Sequence, residues 1–439
     1  MKQRFFSRTC GIWAVLLGCG CLAGFSSGAA DSSTRPQSLT LESAIQLALE
    51  GNPELRGAAA RVDAAAGRAH QSKLWSNPEL TLSAEDWVVK RGDGFSDSKQ
   101  MAGLGQTIPF PGKKRLDRQI GVSGVRLSEA ALSLRRVELI RDVKVAFCQV
   151  LAAERLLGVA GELVKVSESS AATARKRVAA GAAADQEQLR AEIPLEQART
   201  ELSSFEREAA AARQTLALLL GRPDLSEVPV TGALLETADL ALLARDPAEW
   251  LPTHPALVEV ETGRSRAELE LRRAQLEPYP DVRVDVAGGR IGESGESIVQ
   301  LGLSVPLPII DRAKGKKQEA RANVRIAEAE RAAVEQRLLR DWGTGSRRYR
   351  TAAEQVASYR ERILPKATEA LRLVRTGFEQ GKFGFIDLLD TQRTTAEVRL
   401  AYQHRLLELN VARAELEALT FHLTLPGRTG DPSQPTAKP

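Results

Sequence analysis

The sequence predicts a mainly α-helical protein with a small β part and two internal repeats. Three observations lead to this fold class. The stretch 116–180 contains no proline and is rich in Ala, Glu, Arg and Leu, a composition typical of long helices. Two pairs of short segments alternate apolar and polar residues, as strands with one wet face do. Similar residues recur in the same order at a nearly constant offset, which is the signature of a duplicated unit.

The duplication defines two repeats, 31–230 and 231–425, because ordered matches at a nearly constant offset are hard to obtain by coincidence. The matched pairs are Asn52–Leu55 with His254–Leu257, Pro78 with Pro280, Ile108–Pro111 with Val305–Pro308, Gly181 with Gly381, and Ala212–Arg213 with Ala412–Arg413.

The N-terminal segment 1–30 is predicted to be a secretory signal peptide. A basic start is followed by the apolar run Cys10–Phe25 and then by small residues, the order found in such signals. Two processing routes stay open: cleavage next to Ala30, or a lipoprotein signal at 1–18 with acylation of Cys19. Beyond the leader no run of 18 apolar residues occurs, so a membrane crossing would have to use strands.

In the first repeat, the helical spacing of apolar residues predicts a helix at 40–73 with Thr40 as its N-cap. Alternation then predicts a hairpin of two strands within 78–110. Helices at 116–180 and 185–220 follow, separated by a glycine turn. As one helix, 116–180 would be roughly 98 Å long, and the helices 40–73 and 185–220 together match that length. We therefore expect two shorter helices, stacked end to end, to line one long helix.

The second repeat shows the same order of patterns. A helix is predicted at 253–277, strands within 281–307, and helices at 312–380 and 385–421. Proline inside a helix removes a backbone donor, so kinks are expected at Pro194 and Pro365. The tail 426–439 is rich in Pro, Thr and Gly and is expected to be disordered.

Four strands are too few to close a barrel, since small closed barrels need about eight. A trimer would supply twelve antiparallel strands, giving a transmembrane β-barrel continuous with a long α-helical barrel. A small soluble sheet packed on helices would explain the alternation equally well. Aromatic girdles are predicted from Trp87 at one end and from Phe110 and Tyr279 at the other. In the barrel the lipid-facing side chains would be Leu80, Leu82, Val282, Val284, Val286, Leu301 and Leu303, and the pore-facing ones Thr81, Ser83, Arg283, Asp285, Gln300 and Ser304.

Composition argues against several other classes. The net charge of +5 lies largely in the basic start of the leader, so a nucleic-acid partner gains no support. The four histidines are scattered and the chain has only two methionines, so no metal site is predicted. The lysine pairs after Gly112 and Gly315 lack the other residues of a phosphate loop. We therefore expect no catalytic residue, no cofactor and no enzyme activity.

Several motifs together resemble the TolC family of outer-membrane efflux proteins, over 39–423. The motifs are Leu39–Glu42 with Ala44, Asn52–Leu55, Gly377-Phe378 with Gly381, and Asp387–Asp390 with Gln392. Two further motifs, Gln106–Lys113 and Pro306–Pro308 with Asp311, Arg312 and Gly315, resemble the heavy-metal (cobalt-zinc-cadmium) branch of that family. The resemblance implies a passive trimeric tunnel, held by outer-membrane lipid and extending into the periplasm. Its implied partners are a periplasmic adaptor (membrane fusion protein) and an inner-membrane resistance-nodulation-division (RND) pump, which supplies the energy.

The resemblance also implies two kinds of site. Asp387 and Asp390 fall on the motif that forms the acidic pore constriction in this family, and a three-fold axis would make each a ring of carboxylates that favours cations. The alternative is that both merely complement a helix dipole. In the first repeat the corresponding residues are Glu187 and Arg190. The adaptor-docking tips implied by the family are Gly181 and Ala182 in one repeat and Gly381, Lys382, Phe383 and Gly384 in the other.

Two other functions stay open at this stage. A drug or protein-export channel of the same fold would share every motif, because the pump selects the substrate. A periplasmic coiled-coil adaptor would also be secreted and rich in alanine, but it would usually carry one helical hairpin and no lipid-facing strands.

Overall fold

The computed structural model describes residues 38–86, 98–292 and 294–420. The predicted leader with Cys19, the girdle residue Trp87 and the tail 426–439 lie outside the described residues. Within them the chain forms long helices and one antiparallel sheet. Its strands are β1 Glu79–Glu85, β2 Lys99–Ile108, β3 Val282–Ile291 and β4 Ser297–Ser304, in that spatial order. Its helices are α1 Leu41–Gly51, α2 Pro53–Lys73, α3 Lys113–Ala179, α4 Asp185–Leu219, α5 Leu240–Leu243, α6 Pro247–Trp250, α7 Pro255–Gln275, α8 Lys314–Ser358, α9 Leu364–Glu379 and α10 Phe385–Leu419.

Helix α3 is the longest element and other helices pack along it. It has 67 residues, which corresponds to about 100 Å. Helices α2 and α4 both pack on α3, and α7 and α10 contact it as well. Asn52 joins α4 to α2 end to end. Its side-chain oxygen accepts from the backbone N–H groups of Glu54 and Leu55, while its amide donates to the Leu219 carbonyl at 2.9 Å.

Two predicted helices differ in detail from the structure. The helix expected at 40–73 is interrupted at Asn52, because Asn52 caps α2 and Pro53 cannot donate to α1. The helix expected at 312–380 contains a π-helical turn, Tyr359–Ile363, directly before α9. Proline clashes with the carbonyl four residues earlier, and this wider turn lies just before Pro365. Helix α4, by contrast, is continuous through Pro194.

The main hydrophobic core lies around the middle of α3. Its buried residues come from α1, α3, α8, the C-terminal halves of α4 and α10, and a strap formed by residues 220–254. No element is predicted from the sequence for 223–252, where the structure has the short helices α5 and α6 and 3-10 turns. The strap is held by side chains: Asn410 exchanges two 3.0 Å hydrogen bonds with the Leu235 backbone, and the Tyr349 hydroxyl accepts from the Asp239 N–H at 2.8 Å.

Candidate functional site

The four-stranded sheet has one apolar and one largely polar face. Antiparallel register places Leu80, Leu104, Val286 and Leu301 side by side across all four strands. These side chains are exposed, as are Leu82, Val299 and Leu303 on the same face. Water would not stabilise so broad an exposed apolar surface, so this face must be covered by another apolar phase.

The opposite face carries an ion cluster that bridges three strands. Arg283 on β3 pairs with Glu79 on β1 at 2.6 Å and with Asp285 at 2.9 Å. Gly105 on β2 lies beneath the cluster, and a Cβ atom there would collide with both Arg283 and Asp285. The glycine therefore leaves the space through which the arginine reaches across β2. Thr81, Ser83 and Gln300 share this face, which is consistent with contact to water.

The base of the sheet is fixed by an aromatic and ionic contact. Phe110, after β2, stacks on Tyr279, before β3, with ring centroids 4.8 Å apart. The Asp281 carboxylate accepts from the Phe110 N–H at 2.7 Å and from Lys113 Nζ at 2.9 Å. The structure thus brings together the two residues predicted for the girdle at this end.

At the far end of the long helices, two helix–turn–helix tips share one backbone geometry. The glycines Gly181 and Gly381 have φ of 71° and 72°. The N–H of the next residue, Ala182 or Lys382, donates back to the carbonyl of Arg177 or Gly377. Glycine is favoured in this left-handed position at helix ends. Gly181, Ala182, Gly381, Lys382, Phe383 and Gly384 are all exposed.

The second tip has a feature with no signal in the sequence, a contact between an aromatic ring and a helix glycine. The Phe383 ring lies so close to Gly377 that a Cβ atom at Gly377 would overlap it. Phe383 is nevertheless 46% exposed. Beneath the tips, Phe378 and Phe385 contact each other and pack with Ala174, Ala191 and Leu195. The tip therefore combines a packed base with one ring held at the surface.

Most arginines near the tips are paired within the chain. Arg177 contacts Glu187 at 2.9 Å and also lies over the Phe378 ring, while Arg175 contacts Glu192 at 2.8 Å. Arg375 pairs with Glu379 one turn away. Lys176 and Lys382 form no ion pair with any described residue. Among these basic side chains the two lysines are therefore the most available to an acidic partner.

Asp387 and Asp390 lie on the exposed side of α10. Phe385 and Leu388 are buried against the other side, so the helix turns both carboxylates outward. The Asp387 carboxylate accepts from the Gly384 N–H at 2.9 Å, as expected for a carboxylate in the first turn of a helix. Neither aspartate pairs with a basic side chain in the described part of the chain. The helix-dipole interpretation therefore applies to Asp387, whereas Asp390 lies one turn further along α10 and does not contact the start of the helix.

A buried ion network in the main core was not predicted from sequence. Lys144 Nζ contacts Glu417 at 2.7 Å, with both side chains about nine-tenths buried. Glu417 also pairs with Arg413 at 2.6 Å. Burial, reinforced by the negative charge of Glu417, raises the pKa of the Cys148 thiol to about 11, so this thiol stays protonated at neutral pH. The only sequence signal was a lysine or glutamate inside an apolar helical stripe.

His254, the N-cap of α7, is also buried, and its ring contacts that of Trp250. Its Nδ1 accepts from the Ala256 N–H at 3.2 Å, so the hydrogen of the neutral ring is on Nε2. Burial lowers the pKa of His254 to about 4, with a smaller contribution from Arg337. His254 occupies the position that Asn52 has at the start of α2, and both side chains cap their helix.

Within the described ranges no three His, Cys, Asp or Glu side chains are grouped as metal ligands would be. In the same part of the chain, no helix combines the length and apolar composition that a membrane crossing requires.

A sheet with one exposed apolar face, joined to helices about 100 Å long, defines the class of outer-membrane channels with a periplasmic helical body. The chain belongs to the outer membrane efflux protein family, whose model matches residues 44–222 and 247–420. The resemblance to the TolC family is thus confirmed. The protein is an outer-membrane efflux channel that extends into the periplasm.

Individual relatives support the same assignment. The cobalt-zinc-cadmium resistance protein CzcC of Cupriavidus metallidurans is 29% identical over 379 residues, covering 83% of this chain and 85% of the relative. The pyoverdine export outer membrane protein OpmQ of Pseudomonas aeruginosa is 24% identical, covering 85% and 82%. The solved CmeC outer membrane channel of Campylobacter jejuni superposes with a TM-score of 0.76 at 14% identity, covering 87% of this chain and 85% of that chain. The last similarity concerns the fold alone.

Proposed function

We propose that the protein is the outer-membrane channel of a tripartite efflux system and that it passively conducts heavy-metal cations from an RND pump and a periplasmic adaptor to the outside. The observation that carries the channel assignment is the sheet with one exposed apolar face and one largely polar face. The metal substrate is supported by the heavy-metal motifs around Pro109 and Pro306 and by the similarity to CzcC.

The proposed assembly is a homotrimer with two repeats in each chain. The single sheet has two open edges, β1 and β4, and open edges are not tolerated within a lipid phase. Three copies supply twelve strands, and β4 of one copy would then pair with β1 of the next. The strands β2 and β3 have ten residues each, a length that suits a tilted membrane strand.

Asp387 and Asp390 are proposed to line the periplasmic constriction of the trimer. Their exposure on one side of α10 supports this role, and three copies would concentrate carboxylates around the axis. Such rings attract cations, which agrees with a metal substrate. Selection among metals is assigned to the pump, because the described residues offer no grouped metal ligands.

The two helical tips are proposed to dock the adaptor. Phe383 supplies an exposed aromatic ring, and aromatic residues are enriched in protein interfaces. The neighbouring Lys382 supplies a positive charge without an ion pair among the described residues. The arginines near the tips are less suitable for this contact, since Arg175, Arg177 and Arg375 already have intrachain partners.

Gly377→Ala tests the tip directly. The new Cβ should displace the Phe383 ring from its site, and we expect weaker adaptor cross-linking and lower efflux with little loss of thermal stability. Gly343→Ala on α8 is the matched control, because no atom lies within 4 Å of the added Cβ there. Unchanged adaptor cross-linking in Gly377→Ala would exclude this ring from docking.

Growth of a strain lacking the gene tests the substrate. We expect the deletion to increase sensitivity to Zn, Co or Cd salts, and the wild-type gene to restore resistance. Cu and Ag salts and a panel of lipophilic drugs are tested in parallel. Sensitivity to drugs alone would support an efflux channel whose substrates are drugs instead of metals. An export role, as in the name of OpmQ, would appear as a secretion defect without sensitivity to metals or drugs.

A further inference from the structure

The connector that follows β4, Val305–Asp311, exposes apolar side chains at the base of the sheet. Ile310 is 98% exposed, Leu307 72% and Ile309 71%. With Pro278 and Pro280 the connector lines an open groove of about 460 Å³. Two prolines make the connector stiff, and contiguous apolar surface of this kind marks an interaction site.

The corresponding connector after β2 has the same sequence pattern but is covered. There Phe110 stacks on Tyr279, and the Phe110 N–H and Lys113 bind Asp281. Lys113 is only 5% exposed. The covering residues come from the segment that precedes β3, because β3 is the strand paired with β2.

β4 has no such neighbour within the chain, since it forms one edge of the sheet and β1 forms the other. The segment that precedes β1 is the counterpart of the segment that covers Phe110. Its backbone is held in place: Lys114 Nζ donates to the Leu74 carbonyl at 2.7 Å and the Gln106 amide to the Ser76 carbonyl at 3.0 Å. Leu74 and Trp75 are nevertheless 45% and 54% exposed, so the fixed segment presents them outward.

We propose that the Val305–Asp311 connector is an intersubunit docking surface, and that its occupant is the segment 74–77 of a second copy of this chain. In the internal duplication, Ile108 matches Val305 and Pro78 matches Pro280, which are offsets of 197 and 202. These offsets place Leu307 at the position of Phe110 and Asn77 at the position of Tyr279. The contact seen once inside the chain is then completed between chains, with the preceding segment of one strand covering the following connector of its neighbour. This inference rests on the proposed trimer and adds the surface that seals it below the barrel.

Cysteine pairs test the contact in the full-length channel in native membranes. In a Cys21→Ser, Cys148→Ser background, which is free of other thiols on either processing route, Asn77→Cys with Leu307→Cys is treated with a short thiol-specific cross-linker. We expect the monomer band to shift to dimer and trimer bands on denaturing gels, whereas each single-cysteine variant stays monomeric. Phe110→Cys with Tyr279→Cys is the positive control: it should close within one chain and keep the monomer mass with loss of both thiols.

Three results would overturn the inference, and they differ in what else they affect. If the dimer and trimer bands are absent although the native mass shows a trimer, the docking contact is excluded and the proposed function is unaffected. A monomeric native mass removes the trimer as well. A fluorophore on Ile310→Cys that is strongly quenched by spin-labelled lipid would assign the connector to the membrane instead of to a second copy.

Discussion

Glu417→Leu is expected to destabilise the folded channel by about 3–5 kcal/mol, the cost of leaving a buried charge without its partner. Lys144 would remain about nine-tenths buried and lose its 2.7 Å contact to the carboxylate. Arg413 would lose a partner too, although Asp239 lies 4.0 Å away. Heat unfolding followed by circular dichroism at one fixed scan rate measures the effect, since large membrane proteins often unfold irreversibly.

The control for this prediction lies on the same helix. Glu397 forms an exposed pair with Arg393, and Glu397→Leu should change stability by less than about 1 kcal/mol, as is usual for surface pairs. The double variant Lys144→Met with Glu417→Leu removes both buried charges and should recover much of the loss. The single variant Lys144→Met is measured as well. If the double variant loses as much stability as the two single variants lose in sum, the two side chains do not act as a pair.

The strands were predictable from sequence because their alternation has a period of two, which assigns every side chain to a face once the strand is recognised. Val299 and Leu301 are exposed on one face and Gln300 lies on the other, as the alternation requires. The glycine turns at the tips were predictable for a similar local reason: glycine adopts the left-handed conformation that ends a helix.

The strap and the buried network were not predictable because they depend on contacts between residues far apart in sequence. Nothing near Asn410 indicates that its amide will bind the Leu235 backbone, 175 positions away. Likewise, Lys144 and Glu417 read separately as polar interruptions of helical stripes. The break at Asn52 had a local signal, an asparagine before a proline, but the helical spacing on both sides obscured it.

Asp387 and Asp390 can be interpreted as partners of the helix dipole or as the pore constriction, and the two interpretations predict different effects of substitution. Asp387 contacts the Gly384 N–H and so contributes to the start of α10. Replacing it with alanine should cost about 0.5–2 kcal/mol through the lost helix-end contact, whether or not it lines a pore. Asp390 makes no such contact among the described residues, so a change there reports on the pore alone.

We therefore expect Asp390→Asn to reduce cation selectivity without lowering the thermal stability, and Asp387→Ala with Asp390→Ala to reduce it further and to raise the conductance. In the proposed trimer each substitution removes three carboxylates at the constriction. Reversal potentials across planar bilayers under a salt gradient give the permeability ratio. The effect should shrink in concentrated salt, because the Debye length falls from about 10 Å at 0.1 M to about 3 Å at 1 M.

Glu379→Gln is the matched control for this measurement, because Glu379 is an exposed carboxylate at the same tip but lies on α9, outside the proposed ring. Its selectivity should equal that of the wild type. A decrease of similar size in Glu379→Gln and Asp390→Asn would indicate a diffuse surface potential instead of a ring. Unchanged reversal potential and conductance in the double variant would return both aspartates to the helix surface, and the constriction would then have to be sought elsewhere along the helical body.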